Sequence, residues 1–188
     1  MNTVHNLLCS SGWWADRVKE ELIPWGLKDV ELGGDVLEIG PGFGATTRLL
    51  AGRFERLTAL ELNPRYCERL RAALGDTVEV IQGDATELPF KDGRFSGAVC
   101  FTMLHHIPSL ELQDRALAEV ARVLAPGGMF AGTDSLGNSR LFKLIHVGDT
   151  LELVDPGTLP ARLSAAGLRD PSVDCGGRSL RFRAHKPA

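Results

Sequence analysis

A glycine-rich turn that contains a glutamate is the part of this sequence best suited to hold a small ligand. It reads Leu-Glu-Ile-Gly-Pro-Gly-Phe-Gly over residues 37–44, with Gly40, Gly42 and Gly44 at every second position. Glycine permits a sharp bend and lets a ligand approach the backbone where a Cβ would clash. The turn therefore predicts a nucleotide-type crevice, with a purely structural strand-to-helix turn as the alternative.

Two further carboxylates follow predicted strands. Glu61 closes the second strand, about 20 residues after the turn, where dinucleotide folds place the acid that binds ribose hydroxyls. Asp84 follows the third strand, where a carboxylate can accept a hydrogen bond from an adenine amino group. Each acid also has a structural alternative, since Glu61 could cap the next helix and Asp84 could hold a turn. Their shared position after successive strands favours a ligand site.

The glutamate just before the glycines decides between two kinds of cofactor. Gly40, Gly42 and Ala45 also fit the relaxed dinucleotide pattern GxGxx(G/A). Glu38 lies two residues before the first glycine and would place a carboxylate in the crevice. That charge would repel a pyrophosphate but attract a ligand with an ammonium and a sulfonium group. The sequence thus favours a cationic cofactor over a nicotinamide dinucleotide.

The elements that must position these residues alternate between strands and helices. Strands are predicted at Asp35–Ile39, Leu57–Glu61, Thr77–Ile81, Phe95–Phe101 and Met129–Thr133. Helices are predicted at Ala45–Arg53, Pro64–Leu74 and Glu111–Leu124, the last one stopped by Pro126-Gly127-Gly128. Strands separated by single helices imply right-handed crossovers and a parallel sheet covered on both faces.

The last third of the chain has a different pattern. A short helix over 158–166 is followed by two extended runs, 168–175 and 178–185, joined by a Gly-Gly pair, which is typical of a hairpin. The basic residues of this region are predicted to form a solvated sheet edge that discourages aggregation: Arg178, Arg181, Arg183 and Lys186. The α/β fold predicted here therefore has five parallel strands and a C-terminal antiparallel hairpin, seven strands in all.

Length, charge and cysteine content exclude several classes of protein. The 188 residues suit one domain, and a net charge of −3 does not suggest a nucleic-acid binder. The four cysteines form no CxxC pair, so neither a zinc site nor a disulfide scaffold is expected. The first residues do not resemble a secretory signal, and no apolar run approaches the ~20 residues of a membrane span. We therefore expect a reduced, cytoplasmic protein without membrane insertion.

With these motifs in place, the chain resembles the class I S-adenosylmethionine-dependent methyltransferases, of the small-molecule type that includes quinone-biosynthesis enzymes. The matching segments cover residues 35–134 in the family's order: 36–44, 59–61, 82–90, 95–107 and 123–128. The resemblance implies a Rossmann-like fold with helices on both faces and S-adenosylmethionine as the cofactor. Ser96 departs from the family, which usually has aspartate there; lying away from the crevice, it is expected to matter little.

The resemblance also implies roles for individual residues. Glu38 and the backbone of the three glycines would hold the amino-acid end of the cofactor, and Glu61 would bind the ribose hydroxyls. The adenine would pack on Leu62 and be read by Asp84 and the Ala85 amide. Phe101 and Thr102 would flank the methionine portion.

The implied chemistry is an in-line displacement, which needs alignment more than acid or base groups. A base would help if the acceptor must lose a proton. His105 and His106 follow the fourth strand and could contact or orient the acceptor, or simply pack the loop as helix-start residues. Trp13 and Trp14, in a predicted N-terminal helix, could cover the ligand or pack on the sheet, with at most one facing inward.

The resemblance implies one methyltransferase domain over residues 1–188. Its parts would be an N-terminal helical cap (1–34), a cofactor-binding core (35–134), a variable insertion (135–157) and a closing helix and hairpin (158–188). The apolar residues of the insertion could line an acceptor pocket, cover the core or form a homodimer contact. A small-molecule acceptor is expected, without metal or nucleic acid. An NAD(P)-dependent oxidoreductase and a catalytically silent S-adenosylmethionine-binding protein are the alternative functions.

Overall fold

A seven-stranded mixed sheet forms the centre of the computed structural model, which describes residues 7–137, 142, 148 and 150–188. The strands follow the spatial order β3-β2-β1-β4-β5-β7-β6. Their bounds are β1 Asp35–Ile39, β2 Arg56–Glu61, β3 Glu79–Gln82, β4 Phe95–Phe101, β5 Leu124–Ser135, β6 Arg169–Gly176 and β7 Ser179–His185. The first five strands pair in parallel, and β7 runs antiparallel to both neighbours. The predicted sheet and hairpin are confirmed.

Helices flank this sheet, and six α-helices have their full bounds within the described residues. They are α1 Gly12–Arg17, α2 Ile23–Gly26, α3 Ala45–Leu50, α4 Pro64–Leu74, α5 Leu110–Val123 and α6 Leu159–Ala165. A π-helical segment, Val18–Leu22, joins α1 to α2. The predicted start of α4 is confirmed, because the Asn63 side chain accepts a hydrogen bond from the Arg65 amide and Pro64 occupies the first helical position.

Two apolar cores lie on opposite faces of the sheet. On β1, Leu37 packs in the core formed with α5 and α6, whereas Val36 packs in the core formed with the N-terminal helices, α3 and α4. Neighbouring residues of a strand point to opposite faces, so both faces are covered by helices, as predicted.

The start of β5 differs from the prediction. The Pro126-Gly127-Gly128 segment was expected to separate a helix from a strand beginning at Met129. Instead β5 begins at Leu124, which pairs with Phe95, and a register shift accommodates the following residues. Gly127 has φ +76° and its amide donates to the carbonyl of Lys186, so the segment is held in the sheet by the end of the chain.

The basic residues of the hairpin do not form a solvated edge, so that prediction is wrong for β7. This strand lies between β5 and β6, and β6 is the edge. Arg181 pairs with Asp174 of β6 and donates to the carbonyl of Trp25, while Arg183 donates to the carbonyl of Asp29. These side chains tie the hairpin to its neighbours.

Much of the predicted insertion lies outside the described residues. Of its central apolar positions, only Phe142 is described; Leu141, Leu144, Ile145 and Val147 are not. Among the helices that are described, none is both long enough and apolar enough to cross a membrane.

Candidate functional site

A cavity of about 800 Å³ opens at the carboxyl ends of the parallel strands, a volume typical of small-molecule sites. One side is formed by the glycine turn and the loops after β2 and β3. The other is formed by α1, the loop after β4 and the first residues of β7. The predicted site residues on its wall are Gly40, Gly42, Glu61, Leu62, Asp84, Ala85, Phe101, Thr102, His105 and His106.

The glycine turn uses backbone conformations that other residues rarely adopt. Gly40 and Gly42 have φ +67° and +55°. A Cβ on Gly40 would come within 2.2 Å of the Met103 side chain, whereas one on Gly42 would meet nothing within 4 Å. Gly42 thus keeps the cavity side of the turn open, while Gly44 does not border the cavity and caps the start of α3.

Glu38 lies beneath this turn and is only 1% exposed. Its Oε1 accepts a hydrogen bond from the Thr46 hydroxyl, while Oε2 has no partner among the described residues. Burial raises the pKa of Glu38 from 4.5 to about 7; the hydroxyls of Thr46 and Thr47 lower it, and the charge of Glu61 raises it. A buried carboxylate with an unused oxygen is poised to receive a cationic group.

Glu61 is held in one orientation by the backbone. Its Oε2 accepts a hydrogen bond from the Gly42 amide at 3.0 Å, and its Oε1 accepts one from the Asn63 amide at 2.8 Å. The carboxylate therefore links the glycine turn to the start of α4. The bond to the Asn63 amide is the helix-capping role that the sequence indicated as the structural alternative for Glu61. Each oxygen has further acceptor capacity for hydroxyl groups in the cavity.

The loop after β3 provides the next part of the wall. Asp84 Oδ1 accepts hydrogen bonds from the amide and the hydroxyl of Thr86, both at 2.8 Å, so it does hold a turn. Leu62 is 65% exposed, which is unusual for a large apolar side chain and leaves it available to cover a flat ring. Ala85 is half-buried and packs against the core.

The end of β4 is strained. Thr102 has φ +52°, a conformation that costs a β-branched residue free energy and is concentrated at functional sites. Its amide donates to the carbonyl of Thr133 on β5, and this bond holds the chain in place as it leaves the sheet. Phe101, just before it, is buried against the N-terminal helices.

A histidine–carboxylate pair lies at the next strand ends. His105 is 2% exposed, and its Nδ1 lies 2.5 Å from Oδ1 of Asp134, the penultimate residue of β5. The amides of His105 and Ser135 also donate to this carboxylate. The His106 ring stacks obliquely on His105, with 4.2 Å between centroids. The buried carboxylate fixes the orientation of the His105 ring at the cavity wall.

Gln113 fastens the backbone around this pair. Its side-chain amide donates to the carbonyl of Leu104 at 3.0 Å and to that of Glu152 at 2.7 Å. The Glu152 amide donates in turn to the carbonyl of His105. The turn Leu104–His106 is therefore hydrogen-bonded both to α5 and to the segment that precedes α6.

The N-terminal helix closes the cavity from above. Trp13 and Trp14 both border it, although only Trp14 packs on the core and Trp13 is 60% exposed. The prediction that at most one tryptophan faces inward is therefore correct for packing on the core, where only Trp14 takes part. It is wrong for the cavity wall, which both tryptophans border. Arg17, one turn later, also borders the cavity and donates to the Ser179 hydroxyl at 3.3 Å.

Three residues of the site were missed in the sequence. Asp134 follows the same rule that singled out Glu61 and Asp84, an acid at the carboxyl end of a strand. Thr46 was less evident in the sequence, because its only distinguishing feature is a hydroxyl group soon after the glycines. Arg17 had none, because its partner Ser179 is 162 positions away.

Comparison with known proteins adds a family and a set of relatives. A family model described as a methyltransferase domain matches residues 37–132. A fatty-acid O-methyltransferase of Mycolicibacterium smegmatis is 40% identical over 112 residues, which are 57% of this chain and 39% of that protein. The chain spans less than half the length of the curated relatives that it matches.

Solved structures with this fold are less similar in sequence. A chain in the complex between the Haloferax volcanii Trm112 methyltransferase activator and its candidate methyltransferase aligns with a TM-score of 0.76, at 17% identity and 98% coverage of both chains. The phosphoethanolamine N-methyltransferase 2 of Haemonchus contortus, solved with S-adenosyl-L-methionine, aligns with a TM-score of 0.71, at 18% identity, covering 85% of this chain and 50% of that one. At such identities the likeness shows the fold alone.

Proposed function

Because the chain belongs to the methyltransferase-domain family whose model matches residues 37–132, we propose that it transfers the methyl group of S-adenosylmethionine to a small-molecule acceptor. The observation that carries this proposal is that Oε2 of buried Glu38 has no partner among the described residues and lies beneath a glycine turn that is open to the cavity. An ammonium group of the cofactor would satisfy that oxygen. A pyrophosphate would be repelled by it, which disfavours the oxidoreductase alternative.

The remaining cofactor roles are assigned by position along the wall. The amino-acid end lies at the glycine turn, Glu61 accepts from the ribose hydroxyls, and Leu62 covers the adenine. Asp84 and the Ala85 amide then face the adenine edge. Phe101 and Thr102 flank the methionine portion, where the strained end of β4 fixes the backbone.

S-adenosylmethionine supplies an activated methyl group, so the protein must chiefly align the acceptor with it. The new bond forms to the acceptor atom as the carbon–sulfur bond breaks, and the electron pair of that bond stays on sulfur. His105 receives the proton that the acceptor loses: Asp134 holds the hydrogen on Nδ1, so Nε2 is the basic atom. Asp134 is thus a positioning residue for His105.

The nature of the acceptor is supported by the cavity walls and by the relatives. Apolar side chains line much of the acceptor side, among them Leu8, Ile107, Leu112 and Phe142. The Mycolicibacterium relative, whose name specifies a fatty acid, also supports a small acceptor. The net charge of −3 disfavours nucleic acid as the substrate.

Three broader assignments are part of the same proposal. The four parts of the chain keep the boundaries expected from the sequence, with residues 35–134 as the cofactor-binding core within one domain. A cytoplasmic location is supported by the sequence, whose four cysteines form no CxxC pair and no pattern typical of a disulfide scaffold. A homodimer stays a prediction, because the apolar segment suggested for it lies mostly outside the described residues.

Calorimetric titration tests the cofactor assignment. We expect S-adenosylhomocysteine to bind and NAD⁺ and NADP⁺ not to bind; the reverse result would refute the proposal. Release of S-adenosylhomocysteine is then measured across small acceptors that carry hydroxyl, amino or acidic carbon groups. Binding without turnover of any of them would favour the catalytically silent protein.

A further inference from the structure

Two arginines border the cavity on the side of β5 and β7, whereas the carboxylates assigned to the cofactor lie on or after β1, β2 and β3, on the other side of β4. Arg17 comes from α1, and Arg178 comes from the turn between β6 and β7. Ser179 joins them: it follows Arg178 in the chain, and its hydroxyl accepts a hydrogen bond from Arg17 Nη2 at 3.3 Å. Ser135, its partner across β5 and β7, also borders the cavity. These four residues are defined here as the basic end of the cavity.

The positive charge of the basic end is only weakly compensated. Within the described residues Arg17 forms one ion pair, with Glu21 at 3.4 Å; the Glu21 side chain is 69% exposed, so the solvent screens this pair. The Arg178 guanidinium forms no ion pair with the described part of the chain. Asp134, the nearest buried carboxylate along β5, is occupied by His105 and the backbone.

The two ends of the cavity therefore differ in charge. The carboxylates of Glu61 and Asp84 lie on the cofactor side, with Glu38 beneath them, whereas guanidinium groups lie on the acceptor side. Guanidinium groups bind carboxylates and phosphates through paired hydrogen bonds, and a hydroxyl such as that of Ser179 adds a further donor. Apolar walls lie between the two ends.

From this arrangement we infer that the acceptor carries an anionic group, a carboxylate in the simplest case, and that Arg17, Arg178 and Ser179 anchor it. The inference rests on the proposed function, because it assigns the acceptor end of the same cavity. The anchored group is distinct from the atom that is methylated, which must face His105. An apolar body then spans the distance between the two.

The test compares molecules that differ only in charge, on protein saturated with S-adenosylhomocysteine. The probes are 3-(4-hydroxyphenyl)propionate and decanoate, each paired with its primary amide and titrated by calorimetry. We expect at least one carboxylate to bind about tenfold or more tightly than its own amide, as for charged hydrogen bonds. If neither carboxylate shows this preference, including the case in which neither binds, the inference is overturned.

Variants then test whether the preference for the carboxylate over its amide comes from the basic end of the cavity. Arg17→Gln and Arg178→Gln should each remove most of the preference and leave amide binding unchanged, while Arg17→Lys should restore part of it. Arg169→Gln, an exposed arginine at the start of β6, is the matched control and should behave as wild type. A carboxylate preference that persists in the double Arg17→Gln, Arg178→Gln variant would overturn the inference.

Binding of S-adenosylhomocysteine is measured separately in every variant. It should not change, because neither arginine lies on the cofactor side. If wild type fails to bind it, the proposed function is refuted, and the carboxylate titration of the ligand-free protein still decides the present inference. The two failures are therefore distinguishable.

Discussion

His105, in the loop after β4, and Asp134, on β5, form a buried pair with Nδ1 of the imidazole 2.5 Å from Oδ1 of the carboxylate. The carboxylate also accepts hydrogen bonds from the amides of His105 and Ser135, at 3.3 and 2.6 Å. A group with so many donors holds both the position and the tautomer of the ring. The pair therefore makes a distinct kinetic prediction.

Asp134→Asn should lower kcat by about 10²-fold or more, because the wrong tautomer places the hydrogen on Nε2 and removes the basic atom. KM for S-adenosylmethionine should change little. The measurement is a pH–rate profile with an acceptor found in the release screen: the acid limb of wild type should be absent from the variant. A merely structural role would lower the rate without altering that limb.

The surface pair His185–Asp170 supplies a matched control. Its atoms are 3.6 Å apart, and both side chains are far more exposed than those of His105 and Asp134. Asp170→Asn should therefore leave the rate and the pH profile unchanged. An equal effect of the two substitutions would contradict the assignment of His105 as the base.

Glu38 should make the stability of the ligand-free protein depend on pH. Its pKa is raised from 4.5 to about 7, so between these values the folded state binds more protons than the unfolded state. The free energy of unfolding should accordingly fall as pH rises through this window, by about 3 kcal/mol in total. Urea titrations at pH 4.5 and pH 8 should show this loss in wild type relative to Glu38→Gln.

The ionisation of Glu38 should also affect cofactor binding, but with the opposite dependence on pH: stability falls as pH rises, whereas affinity rises. A cationic group favours the ionised carboxylate, so affinity for S-adenosylhomocysteine should rise with pH up to about 7 in wild type. Glu38→Gln should bind it more weakly at pH 8 and lack this dependence. Glu68→Gln, an exposed glutamate on α4, is the control. Identical pH dependence in wild type and Glu38→Gln would contradict the prediction.

Glu61→Ala should weaken binding of S-adenosylhomocysteine by about 1.5–3 kcal/mol, since a charged hydrogen-bond acceptor is lost. Glu61→Gln should lose less affinity than Glu61→Ala, because the glutamine carbonyl oxygen can still accept a hydrogen bond from the backbone. Calorimetry gives the affinities, and circular dichroism checks that the fold persists. Unchanged affinity in the alanine variant would mean that the ribose assignment is wrong.

Gly42→Ala should combine backbone strain with obstruction of the cavity. The strain at φ +55° costs about 1–2 kcal/mol of stability, and the methyl group would project into space that the ligand needs. Gly52→Ala is the matched control: Gly52 has φ +79° and open surroundings, but it does not border the cavity. Both variants should lose stability, and only Gly42→Ala should lose affinity for S-adenosylhomocysteine; equal affinities would contradict the obstruction.

Sequence reasoning succeeded where the pattern is local. Asn63 and Pro64 mark the start of α4 correctly, and Glu61 lies at the strand end that its spacing indicated. It failed where pairing between distant segments decides. Leu124 joins β5 because it meets Phe95, and β7 is internal because β6 covers its other side. Neither neighbour is visible in the local sequence.

The same distinction separates the two sides of the site. The cofactor side is read from Glu38, the glycines and Glu61, which are close in sequence and each at a strand end. The basic end depends on Arg17 meeting Ser179, a contact that only the folded chain creates. This is why the sequence indicated the cofactor but not the charge of the acceptor.

The contact between α1 and β7 also bears on how this protein can diverge. In the proposed function, the residues on the cofactor side serve methyl donation itself, whatever the acceptor. Arg17 and Ser179 lie outside residues 37–132, the part that the family model matches. Substitutions at α1 and at the start of β7 are therefore the changes expected to alter the acceptor while leaving the cofactor side of the cavity intact.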